Sequence, residues 1–306
     1  MSSCIKNLAS EKSDSLQRPT LPLRSFLGNK ELLLEKLERL SREVNSHPSV
    51  HIEPDCHAFS EIKLFPLEIP DHERSPLIRH FFRPLDAAEI DQHPINTDDP
   101  ETARSVKWRN EYFDHEHDDM YLHPPSPYRQ VLVLSSELAM EFQMLPRVGI
   151  KDGTGTLKLL TKWRSESYPS FGHNIVSETT QTKPDCRIYL TWCVGSTKPH
   201  IKMMITHDVE GVHNTLLKFE VLAILAAMKE RLAMESLKRH LVIPVMVFSL
   251  FRPLHGRVLT AYFDGTNMVI QMSELYPFGS SHQASFDVFM RYIAAGVNPT
   301  EDTRRI

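Results

Sequence analysis

At 306 residues, with 41% hydrophobic and 24% charged side chains, the chain has ordinary globular composition and length for one large domain or two small ones. Its formal net charge of −4 argues against broad binding of polyanions, so nucleic acid is a partner class that charge does not support. There is no apolar signal segment and no run of about 18 apolar residues, which predicts neither secretion nor a membrane span and places the chain in the cytoplasm or nucleus.

The 4 cysteines, Cys4, Cys56, Cys186 and Cys193, form no C-x-x-C pair and read as reduced thiols. Cys186 and Cys193 are seven residues apart in or beside one strand, which predicts opposite faces.

Residues 1–25 are polar, Ser-rich and broken by Pro19 and Pro22, the composition of a disordered tail. A helix follows over 29–44, with Asn29 as its cap, a stripe of Leu33, Leu37, Leu40 and Val44, and the i,i+4 pairs Glu35/Arg39 and Glu38/Arg42. The stripe packs on its own domain or docks a protein partner. From His47 to Pro127 prolines, acids and histidines accumulate, predicting little helix or strand. Within it, Asp114 to Asp119 (DHEHDD) and His123 have metal-ligand composition without zinc spacing, and read as an acidic loop pinned by Trp108, Tyr112, Phe113 and Tyr121.

Over 128–145 the apolar run VLVLSSELAMEFQML predicts a helix capped by Ser135 or Ser136, with Leu138, Phe142 and Leu145 inward. Lys151–Gly155 lacks the G-x-x-x-x-G-K-[ST] pattern of a phosphate loop. Arg187 to Cys193 and Lys202 to Thr206 read as adjacent strands around the turn Gly195–Pro199. A hairpin there gathers its open ends, bringing Asp185 towards Asp208 and Glu210. Three convergent carboxylates suit Mg²⁺ or Mn²⁺, and a metal so held activates water and neutralises charge on a phosphodiester. His207, beside the acids, is the candidate general base.

These residues resemble the PD-(D/E)XK nuclease superfamily, whose core runs helix, three-stranded antiparallel meander, helix and further strand. Pro184-Asp185 is similar to its PD element, Asp208-Val209-Glu210 to its (D/E)-X-K element, 216–232 to the next core helix and 242–250 to the next strand, with 174–180 supplying the first meander strand. The resemblance covers between a third and two fifths of the chain. It implies metal binding by Asp185, Asp208 and Glu210, with the Val209 carbonyl assisting. It departs at Glu210, where the family usually carries lysine; His200-Ile201-Lys202 is a second alignment that keeps the basic residue. Glu137, Glu141 or Glu166 stands for the acid many members contribute from the first helix or nearby.

The helix from Asn214 is apolar around most of its first half, which predicts deep burial, and Val242 to Phe248 reads as a buried strand starting at Pro244. Residues 257–263 and 267–272, joined at Asp264-Gly265, form a hairpin with an expected type I′ turn. Arg252, His255 and Arg257 are candidates for a phosphate-facing, substrate-binding cluster. A last helix begins at Ser281, with Phe286, Phe289, Met290 and Ile293 inward, and stops at Gly296.

The expectation is an α/β or α+β fold with a mixed central sheet flanked by helices. A nuclease-like core spans 128–296, residues 26–127 form a helix plus irregular extension packed on it, and 297–306 are a tail. Its function is metal-dependent phosphodiester hydrolysis, or, alternatively, a catalytically inactive nuclease fold kept for interactions.

Overall fold

A computed structural model describes residues 23–53, 59–69, 78–114, 126–166, 186–279 and 282–306. The fold is α/β: a mixed eight-stranded sheet with helices on both faces. Its strands are β2 (Ile62–Pro66), β4 (Arg164–Glu166), β5 (Cys186–Cys193), β6 (Ile201–Glu210), β8 (Val245–Arg252), β9 (His255–Phe263), β10 (Met268–Met272) and β11 (Tyr276–Pro277). Their order is β2-β10-β9-β8-β6-β5-β4, with β11 beside β9. β4, β5 and β6 form an antiparallel meander, and β6 runs parallel to β8. The parallel pair is joined through a helix, α5 (Lys218–Ala233), as a parallel connection requires. Three minor pairings add to this: β1 (His51–Ile52) meets β7 (Leu216–Leu217), and β3 (Phe82–Arg83) meets β12 (Gly296–Val297), while Ile95 bridges Arg147.

Strand alternation sorts the core into two layers. Ile205, Val247, Leu259 and Ile270 face a layer shared by α5 and the N-terminal helix α1 (Leu23–Ser46). Met204, Phe248, Val258 and Val269 face the other, shared by α3 (Pro100–Asp114), α4 (Pro127–Gln143) and α6 (His282–Ile293); the short α2 (Ala87–Asp91) lies between β3 and α3 in sequence. The helix stripes expected from sequence are buried: Leu33, Leu37, Leu40 and Val44 on α1, Leu138 and Phe142 on α4, and Phe286, Phe289, Met290 and Ile293 on α6.

Several local expectations change. α1 starts before Asn29, which lies inside the helix. Its stripe packs against α5, so the apolar face of 29–44 is spent inside the protein and is not a partner surface. Its expected ion pairs are exchanged for others, Arg39 reaching Glu43 and Glu61, and Glu38 reaching Lys229. α4 begins with Ser126 as its cap, accepting from Arg129 N at 3.3 Å, with Ser135 and Ser136 mid-helix. The 15-residue α3 occupies part of the region expected to be irregular, and β2 from the same region joins the central sheet beside β10. In the β9–β10 turn only Gly265 has positive φ (98°), which is the type II′ pattern rather than I′.

The cysteine expectation fails for an instructive reason. A β-bulge between Ile188 and Leu190 resets the alternation of β5, so Cys186 and Cys193 both face the α1–α5 layer. Ser281, the strand expected at 174–180, Tyr121, and the His/Asp-rich segment beyond Asp114 lie outside the described residues. Among the described residues no helix is long and apolar enough to cross a membrane.

Candidate functional site at the carboxyl ends of the parallel strands

β2, β10, β8 and β6 all run the same way, so the loops after them collect at one end of the sheet, where α/β proteins commonly place their sites. Asp208, Glu210, Arg252 and the loop 211–216 are all here. A cleft of about 720 Å³ opens between the segments 64–69 and 272–276, with His213, Asn214 and Arg257 also in its wall.

The hairpin geometry expected from sequence is present: Cys186 pairs with His207 at the open end of β5–β6. Asp185 itself lies outside the described residues. Asp208 is about one-third exposed, and its Oδ1 lies 3.0 Å from Arg252 Nε. That N–H is not aimed at the oxygen, so the contact is ionic rather than a directed hydrogen bond. Glu210 is exposed and stands opposite Arg252 in the β6–β8 ladder. The Arg252 guanidinium thus offsets part of the charge of Asp208, one of the expected metal ligands. Among the described residues no three His, Cys, Asp or Glu side chains come together as a metal-ligand group.

His207 is not placed as a base. It is fully buried, stacked on Phe251 at 4.9 Å and 11°, with Phe219 edge-on. Burial pushes its pKa down to about 4, so the ring is neutral at physiological pH. Its Nε2 lies 2.8 Å from Ser249 Oγ and its Nδ1 3.4 Å from Cys186 Sγ.

The phosphate-facing cluster does not form either. Arg257 is 1% exposed. Its Nε and Nη2 donate to the two oxygens of Glu220, and Nη1 donates to the carbonyls of Val212 (3.2 Å) and Thr215 (2.8 Å). His255 points its Nδ1 at Pro253 O, 2.8 Å away. Only Arg252 remains near the acids, already paired.

The second alignment, through His200 and Lys202, is resolved by position. Lys202 is wholly buried on the sheet face opposite His207, donating to the carbonyls of Tyr292, Ile293 and Ala295 at 3.1, 2.9 and 2.7 Å. It also sits 4.1 Å from the Trp163 ring centroid. Six residues of strand, about 20 Å, separate it from Asp208. Its amino group closes the carboxyl end of α6, and burial pushes its pKa well below the usual lysine range. His200 is buried against Phe81 and Phe82, and burial pushes its pKa down to about 3.

Of the candidate helix acids, Glu141 is buried between Arg109 and Arg147. Glu137 is 5% exposed, and burial raises its pKa to about 7. Glu166 is exposed on β4.

Sequence reasoning missed the row these contacts build. Cys186, His207, Ser249 and Arg257 lie on successive strands β5, β6, β8 and β9, on the face covered by α5, which adds Glu220. Burial pushes the Glu220 carboxyl up, but the Arg257 guanidinium outweighs it and holds the pKa below the usual range. A signal was available: Ser249 and Glu220 are polar residues inside apolar runs, and buried polar groups require partners.

Compared with family models, curated proteins and solved structures, the chain matches none.

Proposed function

We propose that this chain is a non-catalytic protein with a nuclease-like core that acts by binding a partner. Support for the core comes from the element order: helix α4, the meander β4–β6, helix α5, then β8 parallel to β6. This is the order that the resemblance around Asp185, Asp208 and Glu210 implies, with β4 at 164–166 standing in the place the resemblance gives to 174–180, which lies outside the described residues. The observation that carries the non-catalytic reading is Arg252, which holds Asp208 at 3.0 Å and faces Glu210. An acid pair whose charge is partly compensated by a neighbouring guanidinium has less attraction left for Mg²⁺. The lysine that would position water in the second alignment is committed to the end of α6.

The test is calorimetric titration with Mg²⁺ and Mn²⁺ to millimolar levels, together with cleavage assays on single- and double-stranded DNA and RNA. The expected result is no metal binding and no cleavage. Metal-dependent cleavage that disappears in Asp208→Ala overturns the proposal and installs phosphodiester hydrolysis in its place.

A further inference from the structure

A second cleft, of about 870 Å³, lies at the other end of the meander. One wall is the 3₁₀ turn Leu157–Leu160 with the segment leading into β4, and the other is the β5–β6 turn at 194–197. Its charged lining is one-signed: Lys158, Lys162 and Arg164 contribute, and no carboxylate does. Lys162 and Arg164 are exposed, and among the described residues neither makes an ion pair. Lys158 is held in place by Gln143 Oε1 (3.3 Å) and Ser165 Oγ (3.0 Å). The opposite wall is braced from behind, since the buried Arg231 donates to Lys198 O at 2.6 Å and Pro199 O at 3.4 Å. In a protein of net charge −4, a braced cleft with only positive lining is a local departure from the whole.

Apolar exposure concentrates beside it. Leu159 and Leu160 are 51% and 48% exposed, and Met144, one residue after the cleft-lining Gln143, is 70%. A solvated Leu159 in the lining, with Leu160 and Met144 next to lining residues and cations on the same wall, suits the docking of a protein segment. A nucleic acid would gain from the cations but not from the leucines, and the exposed lining offers no aromatic platform, Trp163 being 3% exposed.

We infer that this cleft docks an acidic segment of a partner protein, one in which aspartate or glutamate side chains flank aliphatic ones. The carboxylates pair with Lys162 and Arg164 while the aliphatic groups cover Leu159 and Leu160. The inference names a partner class for the binding role proposed above, yet its lining is separate from Asp208 and Arg252, so each stands or falls on its own assay.

The probe is a fluorescein-labelled 12-residue peptide of alternating glutamate and leucine pairs, followed by anisotropy against the full chain. Saturable binding that weakens with added salt is expected, about tenfold weaker in K162E/R164E and comparably weaker in L159S/L160S. All four positions are exposed, and circular dichroism verifies that the variants fold. Arg42→Glu on α1, a charge reversal of the same kind elsewhere, leaves binding unchanged. Absence of saturable binding, or equal loss in Arg42→Glu, overturns the inference. Tighter binding of a single-stranded oligonucleotide of equal charge through the same residues overturns it too, and makes nucleic acid the occupant.

Discussion

Glu220 on α5 and Arg257 on β9 form a bidentate ion pair with essentially no solvent exposure on either side: Nε donates to Oε1 at 2.9 Å and Nη2 donates to Oε2. Glu220 also accepts from its own helix cap, Leu217 N, at 2.7 Å, and Arg257 reaches into the loop that enters α5. The pair therefore locks the crossover between β6 and β8, on which the parallel arrangement depends.

Breaking this pair from one side leaves a buried charge unmatched. Glu220→Leu is expected to lose about 3–5 kcal/mol of stability, and Arg257→Met about as much. Replacing both together recovers most of that loss, because no bare charge remains. Urea unfolding of the two single variants and the double variant checks this; simple additivity of the single losses would falsify it.

The pH dependence follows from groups forced out of their usual ranges. Burial drives His207 down to about 4 and His200 down to about 3, from an ordinary 6.5. Between those limits the unfolded chain binds more protons than the folded one, so their stabilisation is full above pH 6.5 and is lost as pH falls towards 4. Each contributes on the order of 3 kcal/mol across that window. Glu137 works in the opposite sense: its carboxyl is raised from 4.5 to about 7, so the folded chain holds the extra proton, and stability is lost as pH rises through that interval. The expected curve falls on acidification below pH 6.5, and Glu137→Gln makes the fall steeper. Unfolding free energies at pH 7.5, 6 and 5 provide the check, and a shallower fall in Glu137→Gln reverses the assignment.

Sequence patterning revealed the elements better than the site. Apolar periodicity located the stripes of α1, α4 and α6 because a helix face either packs or does not, and burial leaves a record every three or four residues. The hairpin β5–β6 was legible instead from its β-branched, aromatic and apolar runs on either side of turn residues, since β6 is buried on both faces and shows no alternation. What the pattern did not carry was which charges find each other across strands distant in sequence. Arg257 and Arg252 look alike in the chain, five residues apart in a polar stretch, yet one is sealed inside and the other closes over Asp208. Nor did it carry the bulge near Tyr189, since one extra residue in a strand changes every later face without changing composition.

Lys202 supplies a prediction about the helix it closes. Removing its amino group in Lys202→Met leaves the Ile293 carbonyl at the end of α6 without its donor, leaves the Tyr292 and Ala295 carbonyls with only Ala295 N and Trp163 Nε1, and also removes the contact with Trp163. A loss of about 2–4 kcal/mol is expected. Lys202 is wholly enclosed, so the bulkier, always-charged guanidinium of Lys202→Arg is destabilising as well rather than conservative. Thermal unfolding reads both, and a wild-type melting temperature in Lys202→Met would show the contacts to be energetically idle.

Cys193 gives the bulge a chemical readout. Its thiol is 1% exposed against the α1–α5 layer, with Arg231 Nη1 3.3 Å from Sγ, and burial pushes its pKa up to about 12. Alkylation needs both access and thiolate, and the native chain offers Cys193 neither. Iodoacetamide at pH 8 is therefore expected to leave Cys193 unmodified in the folded protein and to label it fully in denaturant, as read by peptide mass spectrometry. Two substitutions separate packing from chemistry. Ile188→Ala, beside the bulge on the same face, loosens the layer and admits slow labelling. Arg231→Met leaves the thiol protonated and protected, because burial is the larger influence and the guanidinium opposes it. Rapid labelling of the native wild-type chain would mean that β5 does not turn Cys193 inward, and the reset of faces at the bulge would fall with it.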